Sequence, residues 1–218
     1  MKKFFKSLML ISICLGLSAI VNAKTFRYAT TGDILGLDPH ANNEGPTNTM
    51  KGNIYGRMLH RKADLSLEPD LATKWEKLDA NTWRFSLRRG VKFHNGNDFN
   101  ADDVLFSYKR QTQEASDMSF ALATIKQINK VDDYTVDLIT KGPDPILLLN
   151  MPMFYIVDKE WIEANNAFEV VRASGSTNFA NVNTNGTGPF KVVEWIQDTR
   201  IVLEPFEGYW GKIKFNTT

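Results

Sequence analysis

Leu67 to Arg110 reads LEPDLATKWEKLDANTWRFSLRRGVKFHNGNDFNADDVLFSYKR. In its middle, Thr82-Trp83-Arg84-Phe85-Ser86-Leu87-Arg88 alternates apolar with polar residues, the period of a half-buried β-strand. Arg89-Gly90 breaks the strand, Val91 and Phe93 form a second short extended piece, and His94-Asn95-Gly96-Asn97 supplies turn residues that tolerate positive φ. A helix follows directly. Asn100 is placed to cap it, Asp102 and Asp103 sit where the helix dipole favours negative charge, and Phe99 is spaced to staple onto Val104. Val104, Leu105 and Tyr108 give that helix an apolar face.

The physics of this stretch names no function, but its wording resembles a family: the dipeptide and oligopeptide class of periplasmic solute-binding proteins, family 5. The matching runs are Pro69-Asp70-Leu71-Ala72, Lys74-Trp75-Glu76, Trp83 to Gly90, Val91-Lys92-Phe93-His94 with Gly96, and Ala101-Asp102-Asp103-Val104 with Phe106-Ser107 and Arg110. Leu37-Asp38-Pro39-His40 resembles the family's opening loop, and Gly186-Thr187-Gly188-Pro189-Phe190 with Gly208-Tyr209-Trp210-Gly211 its return strand pair.

The resemblance implies an α/β fold: a type II periplasmic-binding-protein-like lobe with an inserted smaller α+β domain, stopping before the opposite lobe. Residues 1–23 are then a signal peptide, 24–55 and 184–218 parts of a discontinuous first lobe, and 56–183 the second, smaller domain. It further implies a binding protein that hands its solute, a di- or oligopeptide, to the ABC permease subunits of the inner membrane, monomeric at full length, with no cofactor, no metal and no catalysis. Loops from Thr31 to Pro46 border the ligand cleft in that family. The expected contacts are Thr31, Gly32 and Asp33, then Glu44 and Gly45, with Phe120 as a further contact by rough alignment with the family. Glycine-rich loops suit this role, since sequence-tolerant peptide binding relies on main-chain hydrogen bonds.

The first residues are read apart from the fold. Lys2, Lys3 and Lys6 form a positive n-region, Leu8 to Val21 an apolar run of fourteen residues, and Val21-Asn22-Ala23 a small-residue cleavage site, so the expectation is export to the periplasm with cleavage after Ala23. The run is shorter than the roughly 20 residues that span a bilayer. Cys14, the sole cysteine, is preceded by Ile13 and not by the small residue that a lipidation site needs, and cleavage leaves a cysteine-free chain suited to an oxidising compartment. Length and composition, 218 residues with 43% hydrophobic, 23% charged and net charge +1, are those of a globular chain without the basic footprint of a nucleic-acid binder.

Beyond the signal, Thr25 to Thr30 alternates as a strand. Gly45-Pro46 opens a helix carrying Met50, Ile54, Met58 and Leu59 on a core-facing side. Thr124–Val131 and Tyr134–Thr140 read as a hairpin turning at Asp132-Asp133, with Tyr134, Val136 and Leu138 on one face. Asp144-Pro145 caps a short helix from Ile146 to Met151 stopped by Pro152, and Asp158 caps another from about Lys159 to Ala167. Ser174 to Thr187 reads as a surface loop or crossing, and Phe190–Ile196 with Arg200–Phe206 as a last hairpin about Gln197-Asp198.

A search for catalytic groups returns little. The three histidines, His40, His60 and His94, form no metal-ligand spacing, and His94 reads as a solvated or capping turn residue. Ser174-Gly175-Ser176 is a poor nucleophile elbow, and Gly186-Thr187-Gly188 is not a phosphate loop because proline follows. Asp102-Asp103 and Asp132-Asp133 are carboxylate pairs that cap and turn roles explain. Trp75, Trp83 and Trp195 fall in apolar patterns as core residues. The alternatives left open are a secreted hydrolase and a binding protein recruited as a chemosensory or chaperone component.

Overall fold

A computed structural model describes residues 27, 29–30, 32–172 and 177–213. The signal segment with Cys14, half of the strand expected at 25–30, and Thr31 lie outside them. Arg27, Ala29 and Thr30 are exposed and in no strand. From Gly32 onward the described chain is one compact unit, and none of its helices is long and apolar enough to cross a membrane.

The quoted stretch forms the centre of a four-stranded antiparallel sheet. Its strands are β3 (Ala72–Lys77), β4 (Thr82–Leu87), β5 (Ile125–Asp132) and β6 (Thr135–Thr140), in the order β3-β4-β6-β5; the two shorter strands β1 (Leu59–Arg61) and β2 (Leu67–Pro69) pair separately. The expected alternation sets the register: Phe85 lies opposite Val136, both fully buried, while Arg84 lies opposite Asp137 on the other face and forms a two-pronged ion pair at 2.8 Å. The sheet's apolar face meets α2 (Ala101–Gln111), which begins with a capping box between Asn100 and Asp103. Before it, Gly96 takes φ of 97°, a turn conformation costly for any other residue.

Two buried clusters result, and α2 lies between them. Val104 joins the first with Phe85, Phe93, Phe99 and Leu138. Phe106 joins the second, with Ile34, Leu37, Met50, Ile54 and Tyr55 from the opening loop and α1 (Gly45–Ile54), and with Val192, Trp195, Ile201 and Leu203 packed against it from the last hairpin. That hairpin is β7 (Phe190–Ile196) with β8 (Arg200–Pro205).

Four elements depart from expectation. Helix α1 ends at Ile54, so Met58 and Leu59, expected on its core-facing side, lie beyond it, Leu59 as the first residue of β1. The short helix α3 runs only over Leu147–Asn150, and Pro152 sits inside a 3-10 turn, Met151–Met153, where its fixed φ is accommodated. Helix α4 ends at Ala164, three residues early, because Asn166 turns to φ of 51° and brings the Ala167 carbonyl under Arg110. The supposed surface crossing contains α5 (Phe179–Val182), and its later part, Asn185 to Gly188, is buried. Close packing explains this: a Cβ on Gly186 would lie 2.0 Å from the Ile54 carbonyl oxygen, and Gly188 N–H donates to that oxygen at 2.8 Å.

Candidate functional site

Three loop segments converge near the start of α1. Leu35 N–H donates to Thr47 Oγ1 at 2.9 Å, which fastens the 32–35 segment to the first turn of the helix. Glu44 is its N-cap and accepts from Thr47 N–H at 3.0 Å. The third segment arrives through Asp117 N–H, which donates to the Ala41 carbonyl at 3.3 Å, and leads into the 3-10 turn Ser119–Leu122, where Phe120 is 50% exposed. Beneath them lies Lys51, 1% exposed, whose ammonium bonds the Asn42 carbonyl and, at 3.3 Å, Asn48 Oδ1. Burial lowers its pKa to about 8, against the pull of Asp38, Glu44 and Asp117.

Deeper still, Arg110 organises the opening loop. Its guanidinium binds both carboxylate oxygens of Asp38, at 2.8 and 2.5 Å, donates from Nη1 to His40 Nδ1 at 3.1 Å and from Nε to the Ala167 carbonyl at 3.1 Å. Because His40 Nδ1 accepts from Arg110, its proton sits on Nε2 and is donated to the Tyr155 carbonyl at 3.0 Å. Burial and the neighbouring Arg110 charge push the His40 pKa down to about 3. Burial alone would raise the Asp38 pKa, but the charge and hydrogen bonds of Arg110 hold it below the ordinary carboxylate value.

His94 is no solvated turn residue. Its ring Nδ1 accepts from Gly186 N–H at 3.3 Å, its Nε2–H donates to the Gly188 carbonyl at 3.0 Å, and its own N–H donates to the Gly186 carbonyl at 2.9 Å, so it clasps the return segment. Beside it, Asp158 Oδ2 accepts the amides of Asn95, Asn97 and Asn185 at 2.9, 2.8 and 2.7 Å, and Oδ1 caps α4 at Trp161 N–H. Among the described residues, Asp103, Asp158 and Glu160 bring carboxylate oxygens within 4.8 Å of one another. Asp103 is occupied by the N–H groups of Asn100 and Lys159, at 2.9 and 3.0 Å, and Asp158 by those above, so the cluster serves helix capping.

The sequence-derived contacts are thus placed as follows. Thr31 lies outside the described residues. Gly32 is exposed, and no described atom lies within 4 Å of a Cβ on Gly32 or Gly45. The Asp33 carboxylate is engaged with the last hairpin, accepting Asp198 N–H at 2.7 Å and Trp195 Nε1–H at 3.3 Å. None of Gly32, Asp33, Glu44, Gly45 and Phe120 lines the groove of about 770 Å³ that runs past Leu35, Leu37, Trp161, Phe179 and Trp195. The Arg110 network is not among the sequence-derived contacts. The signal for it was present: Arg110 falls on the buried stripe of α2 with Asp103 and Ser107, a position a cation occupies only with a partner.

The model of the bacterial extracellular solute-binding proteins, family 5 Middle, matches residues 66–217. The chain belongs to this family. Over 223 aligned residues it is 32% identical to the dipeptide-binding protein of Escherichia coli (strain K12), covering 91% of this chain and 41% of that one. With heme-binding protein A of Haemophilus influenzae it shares 32% identity over 85% of this chain and 37% of the relative. The solved structure of the periplasmic binding protein DppA from Helicobacter pylori, in complex with peptide STSA, superposes with a TM-score of 0.71 at 30% identity, over 83% of this chain and 39% of that chain. The type II binding-protein fold expected for family 5 is therefore present, and the chain spans about two-fifths of the length of these relatives.

Proposed function

We propose that this family 5 chain forms part of the binding cleft of an extracytoplasmic receptor for di- or oligopeptides, which delivers its solute to an ABC permease in the inner membrane and catalyses no reaction. The observation that carries this reading is the 32% identity to a dipeptide-binding protein across 91% of the chain. Gly32, Asp33, Glu44, Gly45 and Phe120, with Thr31, are the proposed contacts. Since the carboxylates of Asp33 and Glu44 are engaged in holding their own loops, a peptide would meet main-chain groups there, which suits a receptor that accepts many side chains.

We read residues 24–55 and 184–218 as parts of one lobe and 56–183 as the smaller domain. What supports this division is that the first buried cluster draws its fully buried members from Met58 to Ile156 alone. The relative named for heme keeps a second ligand class in view. The test is calorimetric titration of the purified chain, and of a protein of family length carrying it, with the peptide STSA and with hemin. Saturable peptide binding by the longer protein supports the reading; binding of hemin alone replaces it, and hydrolysis of the peptide on incubation would revive a hydrolase.

A further inference from the structure

Ser116 stands at the junction of two of the proposed contact segments, and its hydroxyl is fully used. It donates to the His40 carbonyl at 2.7 Å across 76 residues of sequence and accepts from Met118 N–H at 3.2 Å, at a side chain 2% exposed. One residue on, Asp117 N–H reaches the Ala41 carbonyl. His40 and Ala41 lead directly into Asn42–Gly45, and Ser116–Asp117 lead directly into Phe120. Neither segment belongs to a strand, so no ladder sets their spacing, and the His40 end is itself fixed by the fork of Arg110 on Asp38 and by the ring bond to Tyr155.

We propose that Ser116 is a positioning residue: its hydroxyl, acting on a His40 carbonyl held rigid by Arg110 and Asp38, keeps Phe120 in register with Glu44-Gly45. The inference rests on the peptide-binding reading for its functional consequence but not for its geometry. A hydroxyl suits the task, because it donates to one segment while accepting from the other. Alanine at 116 would leave the His40 carbonyl and the Met118 N–H without that partner, freeing the turn ahead of Phe120 without removing any side chain of the two apolar clusters.

The test uses the chain without Cys14, so that the only thiols are those introduced at Asn43→Cys and Ala123→Cys, both exposed positions, and reads the distance distribution between spin labels there. Ser116→Ala is expected to broaden the distribution, to lower the thermal midpoint by only about 2–4 °C, and to weaken STSA binding by a longer protein carrying the chain about five- to tenfold. An unchanged distribution overturns the proposal, as does unchanged affinity in a protein that binds the peptide. Broadening in a protein that binds no peptide supports the positioning role and refutes the peptide reading. Hydrogen exchange on the unmodified chain covers a Ser116→Ala that fails to fold: the Asp117 and Met118 amides should exchange as slowly as those of α2, and exchange at loop rates counts against the role.

Discussion

Arg110 donates from Nη1 and Nη2 to the two carboxylate oxygens of Asp38, at 2.8 and 2.5 Å, with both side chains wholly shielded from solvent. A buried pair of this kind adds little net stability over apolar residues, yet removing one partner strands a charge in the interior. Asp38→Ala should therefore lower the unfolding free energy by about 3–5 kcal/mol in urea titrations. Asp38→Leu combined with Arg110→Met should lose much less than the sum of the single changes. A loss below about 1 kcal/mol for Asp38→Ala would show that the pair is dispensable.

The glycines divide into two groups with different outcomes. A Cβ on Gly186 would meet the Ile54 carbonyl oxygen at 2.0 Å, and one on Gly188 would meet it at 2.6 Å, so alanine at either should abolish soluble expression or lower the thermal midpoint sharply. Gly32→Val and Gly45→Val have open space at Cβ among the described residues, and should fold while weakening peptide binding by about an order of magnitude or more if their backbone meets the ligand. Equal tolerance of all four substitutions in expression and binding would remove both assignments.

Acid should act through His94 as well as through His40, whose pKa burial and Arg110 hold at about 3. Burial pushes the His94 pKa down to about 4, with the bond to the Gly188 carbonyl opposing that shift, whereas an unfolded histidine titrates near 6.5. The folded state thus binds fewer protons, so stability falls as pH drops through 6.5 and goes on falling to about 4. Asp103, raised by burial to about 7, and Asp70, raised by burial to about 6, slope the other way between pH 4 and 7. The clean readout is a difference: the advantage of the unmodified chain over His94→Gln should shrink by up to about 3 kcal/mol from pH 7 to pH 4. A constant advantage would mean that His94 titrates normally.

Export is expected to leave Lys24 as the first residue, given the lysine-rich start, the short apolar run and Val21-Asn22-Ala23. Intact mass measurement of the periplasmic product decides this. A product retaining Met1 would contradict it.

Local rules were enough for what is local. The alternation of Trp83, Phe85 and Leu87, the cap at Asn100 with Asp102 and Asp103 behind it, the hairpin of β5 and β6 and the last hairpin all form within a few residues of where their pattern places them, because periodicity and capping act over one or two turns of chain. The family was legible for a related reason: its wording lies in those same local elements. What only the tertiary structure decided is which distant polar groups meet. Nothing near Arg110 in sequence announces Asp38 at a separation of 72 residues, nothing near His94 announces Gly188 at 94, and nothing near Asp33 announces Trp195 at 162. Each of these side chains has lost water on folding and must recover its hydrogen bonds from whatever the packed chain brings alongside. That depends on how the apolar clusters close, which no short window of sequence contains.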